Sequence, residues 1–294
     1  MNDIEFLAER FEAHRGHLRA VAYRMLGSLS EAEDAVQDAW FRLGRSDVSE
    51  VENLGGWLTT VVGRVCLDML RSRTSRREDP LDFYLPDPVV SAIDGTDPEH
   101  EALVTDSVGL AMLIVLDTLQ PAERLAFVLH DMFAVPFDEI APIVDRTPAA
   151  TRQLASRARR RVQDATPDPE PDLLRQRKVV EAFTAAARGG DFEALVSLLD
   201  PDVVLRVDGG VLAVGASKLI RGAEAVGSQA IMYQRLVPDS RLVLVNGAVG
   251  AVTAPQGKVF SLVAYTVARD RIVRMDILAD PERLKKLDLS GLSD

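Results

Sequence analysis

The sequence predicts a multidomain protein with two all-α units, the second of which contains a helix-turn-helix, followed by an α+β cone. Its 294 residues suit about two domains, or three small ones. Two proline-containing stretches, residues 81–106 and 164–171, interrupt the chain. Apolar residues recur with helical spacing before the second stretch, whereas β-rich runs dominate after it. Helical units are therefore expected first and a mixed unit last.

The charge distribution marks the boundaries between these units. The formal net charge is −11, and residues 81–106 contain seven acidic groups and no lysine or arginine. Such a composition is typical of a segment that forms no packed core. In the second stretch, proline stands at every other position from Pro167 to Pro171, as in an extended spacer. We expect folded units at 4–79, 107–163 and 173–294, joined by an acidic linker (80–106) and a proline-rich linker (164–172).

The composition excludes several classes of function. Hydrophobic residues make up 47% and charged residues 27%, as in ordinary soluble globular proteins. The longest apolar run, residues 110–116, is far shorter than the roughly 20 residues that cross a membrane. The N-terminus lacks the pattern of a signal peptide, the single cysteine permits no internal disulfide, and the four histidines lack metal-ligand spacing. We expect a cytoplasmic protein with no membrane partner, no metal and no cofactor.

Residues 4–79 show the spacing of three helices. The first ends near Gly27, and a capping-box pattern from Ser30 to Glu33 predicts the start of the second. The third begins near Asn53 and Trp57. The outer face of the second helix is acidic, and by pattern alone it is either simply solvated or a docking surface.

Residues 119–162 show a helix-turn-helix pattern. A short amphipathic helix at 137–144 is followed by a turn at Asp145 and by Thr147-Pro148, a helix cap with proline in the first turn. Aspartate tolerates the left-handed conformation that such a turn needs. The buried face of the second helix is predicted to comprise Ala150, Leu154, Ala158 and Val162.

Two clusters of arginine lie inside the near-neutral helical units. The first comprises Arg64, Arg71, Arg73, Arg76 and Arg77, and the second comprises Arg152, Arg157, Arg159, Arg160 and Arg161. Local basic stripes in an acidic chain indicate two DNA contact surfaces. The alternative is that these arginines complement helix dipoles on solvated faces.

Residues 11–45, with the core Ala-Glu-Asp-Ala-Val-Gln-Asp-Ala-Trp at 32–40, resemble the second conserved region of bacterial extracytoplasmic-function sigma factors. The helix from Trp57 to Arg71 resembles the helix that follows in that family. The resemblance implies that core RNA polymerase binds the face with Glu33, Asp34, Gln37 and Asp38. It also implies that residues 46–53 and the next helix capture unpaired bases of the minus-10 element. The implied DNA-binding residues are Asn53, Trp57, Arg64, Arg71, Arg73, Arg76 and Arg77, although a tryptophan at helical spacing is also a common core residue.

The helix-turn-helix segment resembles the fourth region of the same family, which recognises the minus-35 element. The matching residues include Pro121, Phe137 and the run from Thr151 to Arg161. The implied DNA-binding residues are Thr151, Arg152, Gln153, Ser156, Arg157 and Arg160. Arginine binds guanine and glutamine binds adenine in the major groove, so Arg152, Gln153 and Arg157 are the base-reading candidates.

The third unit has two helices followed by several strands, and its first residues resemble SnoaL-like domains of the NTF2-like superfold. A subgroup of these sigma factors has such a fused domain with three short motifs. The corresponding residues here are Tyr84-Leu85-Pro86-Asp87-Pro88, Asp208-Gly209-Gly210, and Asp280-Pro281. The resemblance implies a regulatory domain that folds back on the sigma units, and hence an alternative sigma factor whose partners are core RNA polymerase and promoter DNA.

Two other functions remain open from the residues. The first alternative is a helix-turn-helix regulator that acts without polymerase. The second is an isomerase or cyclase fused to a DNA-binding module. For an enzyme, the candidate groups are Asp208, Asp276, Tyr233 and Tyr265, because a carboxylate base and a phenol donor suffice for proton shuttling beside a carbonyl. No histidine follows His130, so the third unit lacks the commonest general base, and we expect that the protein is not an enzyme.

Overall fold

The computed structural model describes residues 3–46, 51, 53–75, 83–93, 109–165, 169–210, 217–289 and 292. The chain forms two compact units. The helical unit comprises Met1–Asp79 and Met112–Ala165, and the C-terminal unit comprises Pro80–Ala111 and Thr166–Asp294. The two predicted sigma units thus pack together as one, and the predicted acidic linker belongs with the C-terminal unit. Within the described residues, no helix is long and apolar enough to cross a membrane.

The helical unit contains seven helices among its described residues. They are α1 (Asp3–Leu26), α2 (Leu29–Leu43), α3 (Leu54–Ser75), α4 (Leu110–Asp117), α5 (Pro121–Phe127), α6 (Phe137–Ile140) and α7 (Pro148–Ala165). A π-helical turn, Val128–Met132, extends α5. Leucines such as Leu18, Leu43, Leu58 and Leu125 have no exposed surface, so the helices share a closed core.

The buried cation Arg124 links two helices of the helical unit. Arg124 of α5 is only 2% exposed, and its Nε and Nη2 atoms donate to the carbonyl oxygen of Arg24 at 3.0 and 2.9 Å. Its Nη1 atom forms an ion pair with Asp117. Nearby, a Cβ atom on Gly63 of α3 would lie 3.1 Å from Leu129, so glycine allows α3 close to this segment. The contacts of Arg124 link α5 to the end of α1.

The predicted capping box at the start of α2 is wrong. The helix begins at Leu29, one residue before Ser30, and the residue at its cap, Ser28, makes no side-chain capping bond. Glu33 instead forms ion pairs with Arg15 and Arg19 at 3.2 and 2.9 Å. The predicted end of α1 is confirmed, since Gly27 has a φ of +70° and the chain turns there.

The helix-turn-helix is confirmed, but the buried face of α7 differs from the prediction. Asp145 has a φ of +54°, and the hydroxyl of Thr147 accepts from the Ala150 amide at 3.2 Å. The buried residues of α7 are Thr151, Ala155, Ala158 and Val162, so Ala150 and Leu154 were placed one position out of phase. Thr151 is buried because its hydroxyl donates to the carbonyl of Thr147 at 3.0 Å, within the helix itself.

The C-terminal unit is an α+β cone. Its helices are α8 (Leu173–Gly189), α9 (Phe192–Leu198), α10 (Ala223–Met232) and α11 (Pro281–Leu284). Its strands are β1 (Val90–Ser91), β2 (Leu199–Asp208), β3 (Lys218–Arg221), β4 (Ser240–Val245), β5 (Ala248–Thr253), β6 (Ser261–Ala268) and β7 (Arg271–Leu278). The sheet order is β1-β4-β5-β6-β7-β2-β3, in which only the β2–β7 pair is parallel.

One core joins the helices of this unit to its sheet. Val180 and Phe183 of α8, Leu195 of α9 and Val226 of α10 are buried with inward residues of the strands. Glycine ends α8, because Gly190 adopts a φ of +70°. The two predicted helices and the strands that follow them are found, and one strand pair, β2 with β7, is parallel.

Strands β1 and β3 were not predicted from the sequence, and parts of both predicted linkers are packed in the structure. Leu85, Val89 and Val90 are 1–7% exposed, and β1 pairs with β4 through Val90 and Val245. Residues 81–106 contain seven acidic groups, and this composition predicted a linker in spite of these apolar positions. Residues 80–82 and 94–106 of that predicted linker lie outside the described residues. In the proline-rich linker, α7 extends to Ala165 and the Glu170 amide donates to the carbonyl of Val267 at 2.8 Å.

Candidate functional sites

The outer face of α2 presents polar side chains. Asp34 and Gln37 are exposed, and Asp38 forms an exposed ion pair with Arg42 at 3.2 Å. Glu33, on the flank, is held by Arg15 and Arg19 of α1. Three of the four predicted polymerase-binding residues therefore share one exposed face, whereas Glu33 also joins α2 to α1.

An exposed aromatic side chain completes this face. Phe41 is 52% exposed, whereas most apolar residues of α2 are buried. It lies four residues after Gln37 and three after Asp38, which puts all three on one side of the helix. Phe41 was not predicted as a site residue, although its position outside the apolar stripe of α2 indicates that it is exposed. Exposed aromatics within a polar rim are characteristic of protein-binding surfaces.

The start of α3 is fixed by Asn53. Its Oδ1 atom accepts from the Gly56 amide at 3.0 Å, so the side chain caps the helix. Trp57 in the first turn is half-buried, and Arg64 and Arg71 further along are exposed. Residues 47–50 and 52 of the predicted base-capturing loop lie outside the described residues, as do Arg76 and Arg77.

Arg73, predicted as a DNA contact, also makes contacts within the helical unit. Its guanidinium forms an ion pair with Glu31 of α2 and donates to the carbonyl of Leu26 at 3.3 Å. The side chain is 29% exposed. These contacts hold α3 to the junction of α1 and α2, and the DNA contact of Arg73 stays a prediction.

The outer face of α7 retains part of the predicted DNA-binding set. Gln153, Ser156 and Arg160 are exposed and lie opposite the buried stripe. Arg152 is exposed at the edge of this face, with its guanidinium 5.2 Å from the ring centroid of Phe137. Thr151 has no exposed surface, so its prediction as a DNA contact is wrong.

Two arginines of α7 have a buried acidic partner. Arg157 and Arg161 approach the carboxylate of Glu123 at 3.7 and 3.1 Å. Glu123 is 5% exposed, whereas the arginine side chains are more than half exposed. The pairing fixes α7 on α5, and it distinguishes these arginines from Arg160, for which the structure gives no ion pair within the described residues.

The three short motifs of the C-terminal unit meet at Arg283. The Nη1 atom of Arg283 donates to Asp208 at 2.6 Å. Its Nη2 atom donates to the carbonyl of Leu85 at 2.6 Å and to Asp87 at 3.0 Å. The guanidinium carbon lies 4.3 Å from the ring centroid of Tyr84. We name Tyr84, Leu85, Asp87, Asp208 and Arg283 the linker latch.

Backbone amides also hold the carboxylate of Asp208 in the latch. Asp208 is 4% exposed, and its Oδ2 atom also accepts from the amide of Leu85 at 3.0 Å. Its Oδ1 atom accepts from the Gly210 amide at 3.1 Å, and the Gly209 amide donates to Ser217 at 3.1 Å. Asp208 therefore accepts from both the linker backbone and Arg283, while Pro86 and Pro88 on either side of Asp87 are buried.

Gly210 and Asp280 set the geometry of the other two motifs. Gly210 has a φ of +76°, and a Cβ atom there would lie 2.4 Å from the carboxylate of Asp280. Asp280 caps α11 by accepting from the amides of Glu282 and Arg283 at 2.9 and 3.4 Å. Pro281 occupies the first turn of that helix, where its missing amide costs nothing. These contacts orient Arg283 toward Asp208.

The four candidate catalytic groups are not assembled into one site. Asp208 belongs to the latch, and Asp276 is 2% exposed and forms an ion pair with Arg274 at 2.8 Å. Burial raises the pKa of Asp276 against the opposing effect of Arg274. Tyr233 and Tyr265 line a cavity whose described lining contains no carboxylate and no imidazole. No cluster of potential metal ligands occurs among the residues that the structure describes.

The described helices coincide with two known modules of transcription factors. Residues 10–76 match the family model for sigma-70 region 2, and residues 111–162 match the model for sigma-70 region 4. Proteins with these two modules are sigma factors. The helical unit is therefore the region 2 and region 4 assembly of such a protein.

Whole-chain comparisons identify the family. The chain is 43% identical over 251 residues to the ECF RNA polymerase sigma factor SigJ of Mycobacterium tuberculosis, across 83% of this chain and 80% of SigJ. It is 32% identical to the probable ECF RNA polymerase sigma factor SigI of the same species, across 98% of both chains. The chain belongs to the ECF sigma factors.

A solved structure extends the likeness to the C-terminal unit. The crystal structure of Mycobacterium tuberculosis SigJ superposes with a TM-score of 0.77 at 36% identity, covering 96% of this chain and 99% of SigJ. The predicted fold class, with helical sigma regions followed by a fused SnoaL-like cone, is confirmed. The chain is an alternative sigma factor with a fused C-terminal domain, and its sigma regions imply binding to core RNA polymerase and promoter DNA.

Proposed function

We propose that the C-terminal unit modulates promoter-specific initiation by holding the linker between regions 2 and 4 in the latch. The observation that carries this proposal is the set of contacts from Arg283 to Leu85, Asp87 and Asp208. A linker held on the C-terminal unit is not free to follow a path along polymerase. Because the latch belongs to the same chain as the linker, it competes with polymerase at a high effective concentration, and a modest latch suffices to lower initiation.

Run-off transcription with core polymerase tests this modulation. The variant Arg283→Met keeps a long apolar side chain but lacks all three donated bonds, and we expect its transcript yield to rise about threefold or more. Asp87→Ala removes one contact and should give a smaller rise. Lys285→Ala serves as control because Lys285 is exposed and, among the described residues, pairs only with Glu282 beside it. An equal or lower yield for Arg283→Met would overturn the proposal.

We also propose that the α2 face with Asp34, Gln37, Asp38 and Phe41 binds core RNA polymerase. The supporting observation is an apolar ring, 52% exposed, within a polar rim on one helix face. The ring would bury against polymerase while the carboxylates meet basic groups at the rim. Glu33 acts mainly within the protein because Arg15 and Arg19 already occupy it.

Removal of the Phe41 ring should weaken polymerase binding strongly. We expect Phe41→Ala to lower the affinity by about 2 kcal/mol, or about 30-fold, as for other central aromatic residues of interfaces. Titration of labelled core polymerase with the full chain measures this change. Leu174→Ala is the control, because Leu174 is 69% exposed on the C-terminal unit. A loss of less than twofold for Phe41→Ala would place the docking surface elsewhere.

The outer face of α7 is proposed to read the minus-35 element through Gln153 and Arg160. We expect Gln153→Ala to cost about 1–3 kcal/mol at its cognate base pair and to relax specificity at that position. Binding or transcription from a promoter library with each minus-35 position randomised measures this. Lys285→Ala is the control, since Lys285 is exposed on the C-terminal unit and lies outside α7. A uniform loss over all sequences for Gln153→Ala would contradict base reading.

A packed helical unit also implies that regions 2 and 4 separate on the promoter. A unit of about 130 residues is about 36 Å across. The minus-10 and minus-35 elements are centred about 25 base pairs apart, which is about 85 Å at 3.4 Å per base pair. We propose that the packed form is a free form of the factor, and that the contacts of Arg124 break when both elements are bound.

A further inference from the structure

The C-terminal unit contains a cavity that the proposed regulation does not use. Its volume is about 360 Å³, within the roughly 300–1,000 Å³ of small-molecule sites. The wall is largely apolar, with Phe183, Leu205, Val226 and Met275 among its residues. Phe260, which is 45% exposed, lies where the wall meets solvent. The cavity is therefore accessible and suits a ligand with an apolar body.

The cavity has one cationic group, Lys218 of β3, among its described lining residues. Its ammonium donates to Gln229 at 2.7 Å and lies 5.7 Å from the ring centroid of Tyr233. Within the described part of the chain no carboxylate pairs with this ammonium, and the described cavity wall contains none. A half-buried cation beside an apolar cavity favours an anionic ligand group.

A second donor faces the same space. Tyr265 lines the cavity and is 7% exposed, and its hydroxyl has no hydrogen-bond partner among the described residues. Burial raises the pKa of Tyr265, so the phenol remains a neutral donor. A neutral phenol in the cavity wall can donate a hydrogen bond to an oxygen of the ligand.

We infer that this cavity binds a small apolar monoanion, such as an aromatic carboxylate, with its anionic group at Lys218 and its apolar body against the wall. A cationic ligand is disfavoured, because the described lining offers no carboxylate and presents an ammonium. A strongly polar ligand is disfavoured too, because most of the wall would leave its polar groups unpaired. This site is independent of the latch and of the sigma regions.

Isothermal titration of the full chain with 2-naphthoate and with its neutral analogue 2-naphthamide tests the inference. We expect the wild type to bind 2-naphthoate about tenfold or more tightly than 2-naphthamide. Lys218→Met should bring the ratio of the two dissociation constants close to one, while the amide still binds. Ala251→Phe places a ring in the cavity and should abolish binding of both probes.

Two controls separate the site from general effects. Lys258→Met removes an exposed lysine outside the described cavity lining and should leave both dissociation constants unchanged. Thermal melting of each variant shows that the fold is retained. Failure of the wild type to bind either probe at about 1 mM would overturn the inference. An anion preference that survives Lys218→Met would overturn it as well.

Discussion

Replacing Arg283 with methionine is expected to lower the free energy of unfolding of the C-terminal unit by about 3–5 kcal/mol. The change leaves the carboxylate of Asp208, 4% exposed, without its cationic partner, and it removes a donor from the carbonyl of Leu85. Breaking one side of a buried pair costs more than the pair contributes, because the remaining charge stays desolvated. Urea unfolding of the full chain, followed by circular dichroism, measures the difference.

The matched control for this prediction is Lys285→Ala on the same short segment. Its ammonium is 66% exposed and its pairing with Glu282 is a surface contact, so we expect a change below about 0.5 kcal/mol. Limited proteolysis provides a second readout, since loss of the latch should expose residues 84–91 to cleavage. Equal stability and equal cleavage in the two variants would mean that Arg283 does not hold the linker.

Replacing Arg124 with methionine is expected to destabilise the helical unit by about 3 kcal/mol. The guanidinium is 2% exposed, and its loss removes both donors to the carbonyl of Arg24 and the partner of Asp117. Methionine fills much of the same volume, so the cost comes mainly from the unpaired polar groups. Urea unfolding again measures the change.

The control for Arg124 is Arg146→Met. Arg146 is exposed in the turn before α7 and, within the described part of the chain, donates only to the carbonyl of its neighbour Asp145, so we expect little effect. Fluorescent labels on regions 2 and 4 give a further readout, because Arg124→Met should lengthen the distance between them. A helical unit that stays equally stable and equally compact would show that Arg124 is not its clamp.

The local structure of the helical unit was largely predictable from the sequence. The stop at Gly27, the turn at Asp145 and the cap at Thr147 depend on neighbouring residues, and the structure has all three. The buried face of α7 was predicted incorrectly because Thr151, a polar residue, was expected to be exposed. Its hydroxyl bonds within the helix, which makes burial inexpensive.

Long-range partners could not be predicted in the same way. Arg124 binds a backbone carbonyl 100 residues away, and no side-chain pattern marks such an acceptor. The motifs of the latch were recognisable individually, but Arg283 meets residues 75 and 198 positions away in sequence. Strand β1 was missed because the acidic groups around it dominate the local composition, although Val89 and Val90 are buried.

The acidic total of the chain is compatible with DNA binding because the exposed arginines are concentrated. Gln153, Ser156 and Arg160 form one face of α7, while Arg157 and Arg161 also neutralise the buried Glu123. The free basic footprint is small, which suits a factor that polymerase holds on DNA.

We propose that this chain gives core RNA polymerase promoter specificity through the outer faces of α2 and α7. Mapping of transcript 5′ ends on genomic DNA, with core polymerase reconstituted with the full chain, tests it most directly. We expect transcripts to start at a defined set of positions that share two upstream sequence elements, and Gln153→Ala to relax the specificity at one minus-35 position. Starts no more specific than those of core polymerase alone would contradict it.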